Sequence, residues 1–250
     1  MLTPPVLATS ASPVPRADSA HWTFYAAVAA GQLADWLPTR PARVLDLSGC
    51  QHFSAQLLAA GHEVVHVGTH PPVRVGPGRL LTVTADARTL GWLTDASVDL
   101  VLAESRVLST SLATEVTLEH LGRVLRPGGR LLLVVDSLAL GLARLADQGR
   151  WAELADVPSA DVVLVPDEDG TISRCFWPEE LEALLVGAGM QVDWIRPRSV
   201  LTPATVERAL ELGGSAALAT LVRTELALAV DRQGESTGLH LVASAHLAGG

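Results

Sequence analysis

Two places in this chain put reactive groups where an α/β protein keeps its ligands. The apolar run Val98–Ala103 is followed at once by Glu104-Ser105-Arg106, and the run Leu131–Val135 by Asp136-Ser137. In open α/β sheets ligands bind in the crevice beyond the carboxyl ends of the strands. A carboxylate there can act as a base or contact an acceptor, and Glu104 is the first candidate; a guanidinium can hold an acidic substrate, which makes Arg106 the second. The alternative for Glu104 is a carboxylate simply paired with Arg106 or Arg88. Upstream, Asp46-Leu47-Ser48-Gly49-Cys50-Gln51-His52 follows another short apolar run. A thiol near a helix start can be activated by a lowered pKa, so Cys50 is a conceivable nucleophile and His52 a conceivable substrate contact. Neither has an assured partner, and a small residue filling the turn and a structural imidazole are the plainer readings.

The elements that must carry these residues alternate. Val44–Leu47, Val64–Val67, Leu80–Val83, Val98–Ala103 and Leu131–Val135 are short apolar runs separated by helical stretches, the pattern of a parallel sheet with βα connections. Before them, Trp22, Tyr25, Ala29, Leu33 and Trp36 recur at helical spacing, which reads as a helix covering the sheet. Ser111 is placed to cap a helix carrying Val116, Leu121, Val124 and Leu125 inward, with Glu119 and Arg123 as an exposed pair. Later, Val162–Pro166 and Thr171–Phe176 flank an acidic turn and predict a hairpin inserted above the sheet edge. A helix from Pro178, a strand Val192–Ile195, helical sequence from Thr202 to about Arg232 and a last strand Leu239–Ala245 complete the reading. Residues 1–18, rich in Pro, Ser and Thr, read as a loosely packed arm, and 19–250 as one domain.

Composition narrows the function classes. Hydrophobic residues make up 48% of 250 and charged ones 18%, enough apolar content for a sheet buried on both faces. The formal charge is −9 and no basic run occurs, so the footprint expected for nucleic acid or an anionic membrane is missing. Two cysteines, Cys50 and Cys175, are too few for a disulfide framework and suggest neither a metal site nor an oxidising compartment. The N-terminal residues read as neither a signal peptide nor a membrane span. The expectation is a cytoplasmic protein whose partner is a small-molecule substrate or another protein, with a homodimer left open.

The string Arg123-Val124-Leu125-Arg126-Pro127-Gly128-Gly129-Arg130-Leu131-Leu132-Leu133, with Arg43–Cys50, Asp86-Ala87, Val98–Ala103 and Phe176–Leu181, resembles class I S-adenosylmethionine (SAM)-dependent methyltransferases. The resemblance implies a Rossmann-like, seven-stranded, mostly parallel sheet whose last strand is antiparallel, with helices on both faces. It implies SAM as cofactor and methyl transfer to a small molecule. It also places Asp46, Ser48, Gly49, Cys50 and His52 in the cofactor loop, Gly68 and Thr69 at the ribose, Asp86 and Ala87 at the adenine, and Glu104 beside the cofactor.

Two departures from the family pattern matter. Ser48, Cys50 and His52 stand where the family has glycines. If those positions need a left-handed backbone, each costs roughly 1–2 kcal/mol. Gly68 or Thr69 stands where the family usually has an acid that binds both ribose hydroxyls, and charged hydrogen bonds of about 1.5–3 kcal/mol are lost with it. Two readings therefore stand together: an enzyme with an unusual loop, and a noncatalytic methyltransferase-like subunit that has lost SAM binding.

Overall fold

A computed structural model describes residues 20–68, 77–160, 162–167 and 170–248. The expected N-terminal arm and Thr69 lie outside the described residues. Each apolar run forms a strand. β1 (Arg43–Asp46), β2 (Glu63–Val67), β3 (Arg79–Val83), β4 (Val98–Ala103) and β5 (Leu125–Ser137) pair in parallel in the order β3-β2-β1-β4-β5. From β2 across to β5 both faces of this sheet are covered, so these strands read as continuous rather than alternating apolar runs, whereas the edge strand β3 stays partly exposed at Leu81.

Successive residues of β5 enter opposite layers. Leu131, Leu133 and Val135 meet α3 (Thr114–Val124) and α6 (Pro178–Gly187), whereas Leu132 and Val134 share the layer of α1 (Ala20–Trp36) and α2 (Gln51–Ala59).

On the other side of β5 runs β9 (His240–Leu247), antiparallel from Arg130↔His246 to Asp136↔His240, followed by β8 (Met190–Arg198). These are the seven strands the resemblance implies, but the sheet has nine. β6 (Val163–Pro166) and β7 (Ile172–Phe176) form the expected hairpin, and it joins the sheet rather than standing above it: Asp136↔Cys175 and Ser137↔Phe176 pair in parallel. The physical reason is the length of β5, whose 13 residues run two positions past the Val135 expected as its end and offer a free edge there. The hairpin packs on α4 (Leu138–Asp147), with α5 (Trp151–Asp156) beside it.

Smaller expectations are corrected. Ser111 does not cap α3; its hydroxyl meets Thr117 Oγ1 at 2.9 Å, and Thr114 Oγ1 donates to its carbonyl at 3.1 Å. Val116 is exposed, and Leu118 takes its place inward. Arg123 leaves Glu119 for Asp95 and for the carbonyls of Leu90 and Leu93, because those acceptors hold the loop ahead of β4. The last helix, α7 (Pro203–Asp231), is broken at Gly214 (φ 55, ψ −141) and packs its apolar side on Phe24 and Val28 of α1. α7 is the one described helix long and apolar enough by composition to cross a membrane, its most apolar 18-residue window having a mean hydropathy of 1.2.

Candidate active site

A cavity of about 500 Å³ opens at the carboxyl ends of β1 and β4. Ser48, Cys50 and His52 of the loop after β1 form one wall, Glu104 to Arg106 after β4 another, and α1, α4 and the start of β9 close it with Tyr25, Arg144 and His240. The volume lies within the range of small-ligand sites.

The loop after β1 does not carry the strain expected of it. Gly49 alone takes the left-handed turn (φ 63), and Ser48, Cys50 and His52 are absent from the non-glycine residues with positive φ. Ser48 rebuilds the turn with its side chain, accepting from Cys50 N at 3.1 Å, while its own amide donates to Asp46 Oδ1 at 2.9 Å. One glycine therefore suffices for the backbone shape. Cys50 is half-buried at the start of α2, and His52 is exposed, its ring edge-on to Phe53 at 6.1 Å.

Asp46 is fully buried and turned inward. Its Oδ2 accepts from Ser54 Oγ and lies 3.1 Å from His66 Nδ1, and Ser54 Oγ is 2.9 Å from the same ring nitrogen. His66 lies opposite Asp46 in the β1–β2 register. A Cβ placed on Gly68 would lie 2.7 Å from His66 Nε2, so the imidazole occupies the space from which an acidic side chain would start. Asp86 is exposed and bound by Arg88 at 2.7 Å, whose hydrogen bonds hold its carboxyl below the usual range. Asp86 lines a second, shallower cavity of about 940 Å³ with Arg88 and His120, while Ala87 packs against the sheet.

Glu104 has a partner that was not foreseen. Neither Arg106 nor Arg88 pairs with it; the fully buried Arg198, from the end of β8, binds both of its oxygens at 2.7 and 2.9 Å. The same guanidinium donates to Gln32 Oε1 at 2.6 Å and to Tyr25 Oη at 3.2 Å, tying α1, β4 and β8 together. Burial alone would disfavour the charge on Arg198, but the Glu104 carboxylate outweighs it and holds the guanidinium protonated. Burial also pushes the Tyr25 phenol up, against the pull of Arg198.

Arg106 adopts φ 55, an uncommon conformation for a side-chain-bearing residue, and binds both oxygens of buried Asp136 at 2.9 and 3.0 Å. Arg144 approaches the same carboxylate at 3.4 Å and reaches Asp167 of the hairpin at 3.1 Å. Burial raises the Asp136 pKa, with Arg106 and Arg144 opposing. Arg106 and Arg144 line both cavities and so form the partition between them.

Of the histidines in the wall, His52 was singled out by the sequence, but His21 and His240 were not. His240 Nε2 lies 3.6 Å from Asp136 Oδ1, and burial, then Arg106, Arg198, Arg144 and His21, lower its pKa well below the usual value. Neither ring nitrogen of buried His21 has a hydrogen-bond partner among the described residues, nor does Nδ1 of His240. Trp22 and Tyr25, expected to cover the sheet, stack on each other at 5.4 Å and 11° and face this cavity instead.

The fold and the placement of this cavity define a class I SAM-methyltransferase type of sheet with an inserted hairpin. Residues 26–133 match a family model described as a methyltransferase domain. Among solved structures the chain is similar to the 1,6-didemethyltoxoflavin-N1-methyltransferase of Burkholderia thailandensis, solved with 1,6-didemethyltoxoflavin and S-adenosylhomocysteine. That match has 20% identity and a TM-score of 0.55, and covers 91% of this chain and 81% of that one. It is also similar to SAM-dependent methyltransferases from Methanosarcina mazei (16%, TM-score 0.54, 88% and 98% covered) and Mesorhizobium loti (15%, TM-score 0.53, 92% and 98% covered). A sequence search of curated proteins gives no match. The chain thus has the class I SAM-dependent methyltransferase fold, and its residues 26–133 match the methyltransferase domain model.

Proposed function

We propose that this protein is a SAM-dependent methyltransferase acting on a small molecule. The observation that supports the reading is a cavity lined together by Ser48 and Cys50, the residues after β4, and Trp22 and Tyr25, the arrangement a cofactor loop facing an acceptor wall would take. The residues fit the methionine end of SAM: the turn at Gly49 is unstrained and open, with nothing within 4 Å of an added Cβ. When bound, SAM supplies an electrophilic methyl group. The chain's own part is to hold and orient: Ser48, Gly49 and Cys50 border the cofactor, and Glu104, fixed by Arg198, sets the wall between cofactor and acceptor. With both oxygens given to Arg198, Glu104 acts through position rather than as a free base, and positioning alone can supply much of the rate. Asp86 and Ala87 at the adenine end, the cytoplasmic location and the single-domain organisation remain part of the same proposal.

One observation supports the noncatalytic alternative: a Cβ on Gly68 would lie 2.7 Å from His66 Nε2, so an acid at that position would need the imidazole to move. Thermal unfolding with S-adenosylhomocysteine separates the two. A ligand at 100 times its Kd stabilises the native state by about 2.7 kcal/mol, a shift of several degrees in a chain of this size. No shift up to millimolar ligand would remove the enzyme reading.

A further inference from the structure

The cavity wall is charge-neutral and hydrogen-bond-poor at the same time, and that combination restricts what fits it. Each guanidinium there already has a carboxylate: Arg198 has Glu104, Arg106 has Asp136, and Arg144 has Asp136 and Asp167. Among the described residues these charges balance, which leaves no surplus to attract an acidic or cationic ligand. By contrast, three imidazole nitrogens of the cavity wall, both of His21 and Nδ1 of His240, have no hydrogen-bond partner among the described residues. A buried polar atom left without a hydrogen bond keeps its desolvation penalty, so such atoms are normally matched by something. The Asp136 carboxylate 3.6 Å from His240 Nε2 favours the tautomer with hydrogen on that nitrogen, which leaves Nδ1 as an acceptor. Beside it, Tyr25 stands edge-on to His240 at 5.4 Å and stacks on Trp22, which is 40% exposed and presents a flat ring.

We propose that the cavity binds a neutral, flat aromatic molecule carrying an O–H or N–H, extending the Trp22–Tyr25 stack on the Trp22 side and donating that hydrogen to the His240 imidazole. His21 supplies a second polar contact. The inference deepens the reading of a small-molecule methyltransferase by naming the chemistry of its acceptor, and it rests on that reading for the acceptor role alone; binding can be tested without turnover.

The test is a fluorescence titration of the full chain with 7-hydroxycoumarin and 7-methoxycoumarin, which differ by the O–H, alongside a titration with S-adenosylhomocysteine. The hydroxy compound is expected to bind about tenfold tighter, the equivalent of one hydrogen bond of about 1.4 kcal/mol. His240→Phe is expected to abolish that preference, His240→Gln, whose amide oxygen still accepts, to restore part of it, and Trp22→Ala to weaken both probes alike. Equal binding of the two coumarins by the wild type, or no binding of either, overturns the inference even where S-adenosylhomocysteine binds. A preference that depends on His240 without S-adenosylhomocysteine binding upholds it and overturns the methyltransferase reading instead.

Discussion

Removing Arg198 is expected to cost more than removing any other charge in the molecule. The side chain is fully buried, and Arg198→Met takes partners from both Glu104 oxygens, from Gln32 Oε1 and from Tyr25 Oη in one change. Breaking a buried ion pair by deleting one member costs about 3–5 kcal/mol, because an uncompensated charge stays behind. At roughly 2–4 °C per kcal/mol for a chain of this length, the Tm should fall by roughly 6–20 °C. The cause is the stranded carboxylate rather than lost attraction, so the double variant Arg198→Met/Glu104→Met should regain most of the loss, since apolar replacement of a whole buried pair is often near neutral. Urea unfolding of the wild type, both single variants and the double variant measures this. An Arg198→Met loss below about 1 kcal/mol, or a double variant no more stable than that single one, would refute the reasoning.

Three further outcomes are expected. Burial pushes the Cys175 thiol up to about 12, so a thiol reagent should titrate Cys50 alone in the native protein and Cys175 only after unfolding; two fast thiols would contradict the packing. A Cβ on Gly238 would sit 2.4 Å from Arg198 O and 2.7 Å from Arg198 N, so Gly238→Ala should destabilise by about 1–3 kcal/mol and loosen the Glu104–Arg198 pair, as read by urea midpoints. His240 is held below its usual value of 6.5, so the unfolded chain takes up its proton first as pH falls, and stability present above pH 6.5 is lost below it. His240→Gln should reduce the loss between pH 7.5 and 5.5 by about 1 kcal/mol, and parallel pH profiles for the two proteins would count against a neutral buried imidazole.

What could be read beforehand follows from which forces are local. Strands buried on both faces declare themselves as apolar runs, so β1 to β4 and the hairpin strands were legible to within a residue or two, whereas β5 begins at Leu125, six positions before the expected Leu131, because Pro127-Gly128-Gly129 runs on as an irregular part of the strand. The site was legible only as far as one strand's end at a time. Glu104 and Asp136 were visible, but Arg198 is 94 residues from Glu104 and His240 meets Asp136 only because β9 lies beside β5. Such partners depend on strand order, which no local pattern carries. The missing acid at Gly68 was legible too, yet His66, folded onto Asp46 across the β1–β2 register and crowding that position, was not. Nor could the sequence show that Ser48 closes the loop turn with its side chain, which removes the strain that three replaced glycines suggested.

The central claim is that the loop after β1 still holds the cofactor while His66 weakens only its ribose end. Titration calorimetry of S-adenosylhomocysteine against the wild type and the double variant His66→Gly/Gly68→Asp, with Gly68→Asp alone as the crowded control, tests it most directly. The account predicts measurable wild-type binding that tightens by about tenfold or more in the double variant, as charged hydrogen bonds of about 1.5–3 kcal/mol return. It predicts no such gain in Gly68→Asp alone. Absence of binding by the wild type and by a folded double variant would contradict it.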